Sequence, residues 1–176
     1  MRETYTALSI PVQEAMFLQP FRMQHISTPA TTMPPHISLF GPFMAMDAID
    51  HRVLEALKEI ADSWPRFHFV LRQTGRFPDI QVLYLEPEPA APFQALNRAL
   101  RAKFPAITPD FLDPVMHLTL ARVSEGELDQ VEAEFYDQYG NQLPIEATAT
   151  EVGLHEKRDN AWHPRASFAL AEGLNP

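Results

Sequence analysis

The sequence predicts an α+β protein: two antiparallel sheets with flanking helices, arranged as two lobes related by a pseudo-twofold axis. Two observations carry this. A strand-like stretch, a helix and a pair of strands follow His36, and the same order follows His117. The mixture of strands and helices lacks the strand–helix–strand rhythm of a parallel sheet. At 176 residues, one domain spanning 1–176 is expected, with enough chain for a sizeable core.

Taken in order, Thr4 to Ile10 reads as a strand that Pro11 ends. Val12 to Leu18 predicts a short helix, and Pro20 and Pro29 break the chain after it. Ser27 to Thr32 predicts an exposed loop, either a lid or a passive connection. A strand begins at His36 and ends at Gly41-Pro42. Asp47 is placed to cap a helix running to about Ser63, whose buried stripe is Ile49, Val53, Leu57, Ile60 and Trp64. His51 falls on the solvated side. Phe67 to Arg72 and Ile80 to Glu86 predict a hairpin whose loop runs from Gly75 to Asp79. Arg76 and Phe77 in that loop either reach a ligand or serve as turn residues.

Glu86 to Pro89 predicts a rigid acidic turn. A helix follows with Pro92 in its first turn and Phe93, Leu96, Leu100 and Phe104 on one face. Pro105 to Pro114 is expected to connect it to a second motif strand over Val115 to Val123. Ser124-Glu125-Gly126-Glu127 has capping-box form. The next helix buries Leu128, Val131, Phe135 and Tyr139 and ends at Gly140-Asn141. Strands over Leu143 to Leu154 and Ala166 to Ala171 flank a polar loop holding His155, Lys157, Arg158, Trp162, His163 and Arg165.

Two stretches stand out, His36-Ile37-Ser38-Leu39 and His117-Leu118-Thr119-Leu120, 81 residues apart. Both read histidine, apolar, hydroxyl, apolar. On a strand, alternate side chains share a face. His36 and Ser38 therefore lie together, as do His117 and Thr119, with each imidazole about 6–7 Å from its hydroxyl residue at Cα. One phosphate-sized group spans that distance. Seven histidines in a chain 45% apolar give about 0.1 chance matches to this pattern, so two matches carry weight. The plain alternative is a pair of half-buried strands whose histidines only satisfy hydrogen bonds.

On these residues the sequence resembles the two-histidine phosphoesterases, which include the bacterial 2′-5′ RNA ligase-like proteins. The stretches Pro34-Pro35-His36-Ile37-Ser38-Leu39-Phe40 and His117-Leu118-Thr119-Leu120-Ala121-Arg122 look like the two motifs of that family. Gly75-Arg76-Phe77-Pro78 with Val82-Leu83-Tyr84-Leu85 is similar to its central hairpin. The resemblance implies a bilobal fold with both motifs facing one cleft. It also implies hydrolysis of a 2′,3′-cyclic phosphate or a related 2′-linked bond in a nucleotide or RNA end, sometimes reversed as ligation.

Composition bounds the rest. The chain has no cysteine, which removes disulfides, thiolate chemistry and Cys-based zinc sites. Its N-terminus lacks the pattern of a signal peptide, and no apolar run reaches membrane-spanning length. A cytoplasmic protein, acting as a monomer and away from membranes, is expected. The net charge of −9 argues against tight binding of long nucleic acid and favours a small phosphorylated substrate or an RNA end. The 17 prolines fall mostly between periodic segments, as loop punctuation.

If the motifs face each other, two imidazoles flank one ligand. Histidine takes and gives protons near neutral pH. His36 and His117 are then acid and base, in an order set by how the substrate lies. Ser38 and Thr119 hold the nonbridging oxygens. No metal or other cofactor is expected in this chemistry. Arg122, on the apolar parity of its strand, either neutralises phosphate from the strand end or pairs with a surface acid. Phe40, Phe43 and Trp162 are candidates to stack on a base, with packing as the alternative. His25, His68, His155 and His163 carry no definite role. Two other classes remain: a non-catalytic module binding a phosphorylated ligand or a partner, and a histidine metallohydrolase. The latter is disfavoured because no acid follows either motif histidine at ligand spacing.

Overall fold

In the computed structural model, which describes residues 5–26, 33–108 and 113–173, the chain alternates short helices with eight strands. In order these are β1 (Tyr5–Pro11), α1 (Gln19–His25), β2 (His36–Phe40), α2 (His51–Ser63), β3 (Phe67–Phe77) and β4 (Val82–Glu88), then α3 (Ala91–Lys103), β5 (Leu118–Arg122), α4 (Leu128–Tyr139), β6 (Ile145–Ala149), β7 (Glu151–Arg158) and β8 (Ala161–Ala169). They form two four-stranded antiparallel sheets, ordered β2-β1-β7-β8 and β5-β4-β3-β6.

The two sheets are built alike. In each, the strand of one motif is an edge, and its neighbour is the strand that precedes it through a helix: β1–α1–β2 and β4–α3–β5. The helices are exchanged between lobes, with α1 packed on β5 and α3 packed on β2. Buried polar contacts repeat the exchange. Arg22 on α1 donates from Nε to the Thr119 carbonyl at 2.8 Å, and Asn97 on α3 donates from Nδ2 to the Leu39 carbonyl at 2.5 Å. One hydrophobic cluster runs between the sheets, from Leu8, Ile10 and Ile37 to Leu83, Leu85 and Leu118.

The symmetry extends to a defect. In the β1–β2 pairing, Leu8 faces Phe40 and Ser9 faces Ser38, so Leu39 is an extra residue. In the β4–β5 pairing, Leu83 faces Ala121 and Tyr84 faces Thr119, so Leu120 is extra. Each motif strand thus carries a β-bulge immediately after its hydroxyl residue. A bulge shifts the alternation by one residue, so side chains beyond it exchange faces.

Several sequence expectations change. Pro20 does not break the chain; it opens α1, where a missing N–H costs nothing. Residues 13–18 form a 3-10 helix rather than an α-helix. The cap of α2 is Asp50, which accepts from the Arg52 and Val53 N–H groups at 2.9 and 3.0 Å. Asp47 lies in a separate turn before it. Gly75, Arg76 and Phe77 belong to β3, and Pro87 and Glu88 to β4, so the hairpin is longer than its loop residues suggest. Gly75 faces Tyr84, and a Cβ there would sit 2.7 Å from the Tyr84 hydroxyl. Glycine is what lets that ring cross the strand.

The final polar loop is a hairpin. Three strands occupy 145–169, and Asp159 and Asn160, at φ 51° and 65°, make the tight turn joining β7 to β8. The capping box is half formed: the Glu127 carboxylate accepts from the Ser124 N–H at 2.9 Å. The loop expected over 27–32 and the centre of the one over 105–114 lie outside the described residues. No helix among the described residues is long and apolar enough to cross a membrane.

Candidate active site

Pro34-Pro35 keeps the chain extended as it enters β2, and the Pro35 carbonyl is tied to the Val12 N–H at 2.9 Å. His36 then turns its ring back on its own backbone. Its Nδ1 donates to the Pro34 carbonyl at 2.8 Å. His117, one residue before β5, does the same, with Nδ1 donating to the Val115 carbonyl at 2.7 Å. A carbonyl only accepts, so in both neutral rings the proton sits on Nδ1 and the Nε2 lone pair is left for other work.

The rings meet at one cavity. Cα atoms of β2 and β5 approach within 8 Å, and a cavity of about 460 Å³ opens between His36, Ser38, His117, Arg122, Tyr5 and Trp162. That volume suits a nucleotide-sized ligand. Further cavities flank it. One of about 370 Å³ lies beside His36. One of about 490 Å³ lies beside His117 and is walled by Phe77, Pro78, Ile80 and Val115.

Burial pushes both imidazoles below the usual histidine range. His36 is driven to about 4 by desolvation, then by the nearby positive charges of Arg22, His155 and His117, against the opposing pull of the Pro34 carbonyl. His117 is lowered by desolvation and by Arg122, against the Val115 carbonyl. The His117 ring also sits among aromatics, with Phe77 edge-on at 5.0 Å and Tyr84 at 5.2 Å between centroids. These contacts fix its plane.

The other sequence candidates divide. Ser38 is exposed on the cavity wall. Thr119 is half-buried and does not line the cavity, and its carbonyl holds Arg22. Arg122 reaches the cavity because the bulge at Leu120 moves it off the apolar parity that simple alternation assigns it. Trp162 lines the cavity, edge-on to Tyr5 at 5.7 Å. Phe40 is 3% exposed, with only an edge at the cavity.

Two candidates do not belong there. Phe43 packs in the core between Phe40 and Phe104, at 5.6 and 5.0 Å, because Gly41-Pro42 turns the chain inward. Arg76 is held away from the cleft by α4, its Nη1 on Asp129 at 2.6 Å and its Nε on Glu132 at 2.8 Å. Its neighbour Phe77, by strand alternation, points to the His117 side instead.

Tyr5, Arg22, Tyr84 and His155 are site residues without a sequence signal strong enough to single them out. For His155 a partial signal exists: Glu151, Gly153, His155 and Lys157 recur at period two. Val152 and Leu154 alternate with them as a strand requires, and Glu156, buried against expectation for a carboxylate, breaks the apolar pattern just after His155. Among the described residues, no three His, Asp or Glu side chains cluster as a metal site requires.

The family model described as the 2′-5′ RNA ligase superfamily matches residues 10–161. No curated protein matches the chain. Among solved structures, Escherichia coli LigT complexed with 3′-AMP is similar at TM-score 0.63 and 16% identity, covering 96% of this chain and 99% of that one. A Thermus thermophilus protein reaches 0.66 at 17% identity, covering 96% and 98%. Kluyveromyces marxianus Usb1 reaches 0.52 at 13%, covering 95% and 97%. At these identities the likeness is one of fold.

Proposed function

Because this chain belongs to the 2′-5′ RNA ligase superfamily of two-histidine phosphoesterases, we propose that it is a metal-independent phosphodiesterase acting on 2′,3′-cyclic phosphates or 2′-5′ linkages of nucleotides and RNA ends. The observation that carries this reading is the matched posture of His36 and His117, each with Nδ1 locked on a backbone carbonyl and both at one cavity.

Hydrolysis of a cyclic phosphate proceeds by attack of water on phosphorus. One Nε2 takes the proton of the water. The other, protonated, gives its proton to the departing 2′ or 3′ oxygen. Attack and departure are in line, so the two groups are needed on opposite sides of the phosphorus. One imidazole reaching the shared cavity from the motif of each sheet supports that arrangement. The Ser38 hydroxyl and the Arg122 guanidinium donate to the nonbridging oxygens, where charge builds. Thr119, half-buried and off the cavity wall, holds Arg22 through its carbonyl instead. With a 5′-hydroxyl attacking the cyclic phosphate in place of water, and the 2′ or 3′ oxygen again leaving with the donated proton, the same steps join RNA ends.

The acidic surface fits a small substrate or an RNA end, and affinity for long RNA is weak at physiological salt. The test is incubation with 2′,3′-cyclic nucleotides and short 2′-5′ and 3′-5′ oligonucleotides in excess EDTA. Cleavage that persists in EDTA is expected. Loss restored by Zn²⁺ or Mn²⁺ would favour a metallohydrolase. Nucleotide binding without any cleavage would favour a binding module.

A further inference from the structure

Three buried side-chain polar atoms among the described residues have no hydrogen-bond partner: Ser9 Oγ, His155 Nδ1 and Gln81 Oε1. The first two share one wall. Ser9, on β1, faces Ser38 on one side and Gly153 on the other. Its side chain is 1% exposed. The His155 ring sits over Gly153, where a Cβ would meet its Cε1 at 3.0 Å and its Nδ1 at 3.4 Å. Glycine at 153 is therefore what lets the imidazole lie beside Ser9. Both residues line the 370 Å³ cavity that shares His36 with the central one.

A buried hydroxyl and a buried ring nitrogen without partners cost free energy unless a ligand or solvent serves them. Paired strand residues point to the same face, so Ser9 lies alongside Ser38. Pro11 pairs with His36, which puts Ser9 about 6–7 Å along the strand from that level. The group attached to a phosphate at this range is its sugar. Among the described residues, no Phe, Tyr or Trp lines this cavity, so none of them there favours a stacked base. The aromatic rings are at the central cavity and beside His117 instead. A hydroxyl both donates and accepts, which matches what Ser9 and His155 leave open. Burial holds His155 below the usual histidine range, so its ring is neutral at pH 7 and retains one acceptor nitrogen.

We propose that Ser9 and His155 form a sugar subsite, reading the ribose hydroxyl that is free beside a 2′-5′ linkage, or is freed when a cyclic phosphate opens, next to the phosphate held at His36 and Ser38. This rests on the phosphodiesterase reading of the same cleft. The residues determine specificity and take no part in proton transfer. A site built to hydrogen-bond a hydroxyl rejects the analogue that lacks it.

The experiment is calorimetric titration of the full chain with adenosine 3′-phosphate, 2′-deoxyadenosine 3′-phosphate and inorganic phosphate. Wild type should prefer the ribonucleotide by about tenfold or more. Ser9→Ala and His155→Ala should each lose that preference while binding inorganic phosphate like wild type. His155→Gln, which keeps a donor and an acceptor, should recover part of it and stands in if Ser9→Ala melts early. Equal loss for all three ligands would overturn the sugar subsite, since the residues would then serve the phosphate or the fold. An unchanged preference would overturn it too, with solvent serving the two atoms, and so would equal affinity of wild type for both nucleotides. Cleavage is measured separately on wild type. A chain that cleaves nothing defeats the phosphodiesterase reading, while the titrations still decide the subsite.

Discussion

Arg22 joins the two lobes by donating from Nε to the Thr119 carbonyl at 2.8 Å, from the helix that precedes the first motif to the strand of the second. Its Nη1 holds the Gln19 side chain at 2.6 Å and the Met33 carbonyl at 2.7 Å. The side chain is 2% exposed, and burial draws its pKa down to about 10, still charged at neutral pH. That charge lies beside His36 and disfavours a second positive charge there.

Arg22→Met keeps the apolar stem and strips the donors, leaving buried carbonyls unpaired. The expected loss of stability is about 2–4 kcal/mol. Urea denaturation reads it directly. A midpoint equal to that of wild type would show that this contact does not hold the lobes together.

His36→Ala and His117→Ala should each lower hydrolysis of a 2′,3′-cyclic nucleotide by at least about 10²-fold. The double variant should be little worse than either single one, because the pair acts as one unit. Circular dichroism should show all three folded. Two folded, fully active single variants would end the acid–base mechanism. Ser38→Ala should cost less, since it removes one neutral donor and leaves the proton path.

The pH dependence of kcat/KM reports the free enzyme. The base must be deprotonated, so the rate rises with pH through the lower pKa of the pair. The acid must be protonated, so the rate falls through the upper one. Burial depresses both imidazoles, His36 to about 4. Both limbs should therefore lie below about 6.5, with an optimum on the acid side of neutrality. The limbs belong to the coupled pair and not to either residue. An optimum above about pH 7 in kcat/KM would contradict the burial of these rings.

Gly75→Ala places a methyl against the Tyr84 ring, 2.5 Å from its Cζ. The ring must move, and it is one of two that fix the plane of His117. Destabilisation of about 1–3 kcal/mol is expected, together with a fall in kcat at nearly constant KM. Crystallographic rotation of the His117 ring in the variant would connect the two effects. Wild-type kcat in a destabilised variant would separate Tyr84 from the chemistry.

Much of this protein is local and therefore readable from the chain. The stripes Phe93–Leu96–Leu100 and Leu128–Val131–Phe135 are buried as helical period requires. His36 with Ser38, and His117 with Thr119, follow strand alternation up to the hydroxyl. Beyond it, local pattern fails because a bulge depends on the partner strand. The extra residue at Leu120 exists only against Leu83 and Tyr84, and it carries Arg122 into the cleft.

The same reason governs the other differences. Gly75 reads as a turn residue until Tyr84 is seen to cross it. Asp50 rather than Asp47 caps α2, because the cap is chosen by where the backbone begins to coil. Arg76 looks free until α4 brings Asp129 and Glu132 to it. His155 looks like one polar residue in a loop until Gly153 and Ser9 make a floor for its ring. The sequence alone determined the two motif strands, their histidines and the buried stripes of the helices, since those depend on neighbours a few residues away. Only the tertiary structure decided which side chains share the cleft, since that depends on strand pairing between residues far apart in the chain, where one bulged residue turns every later side chain to the other face.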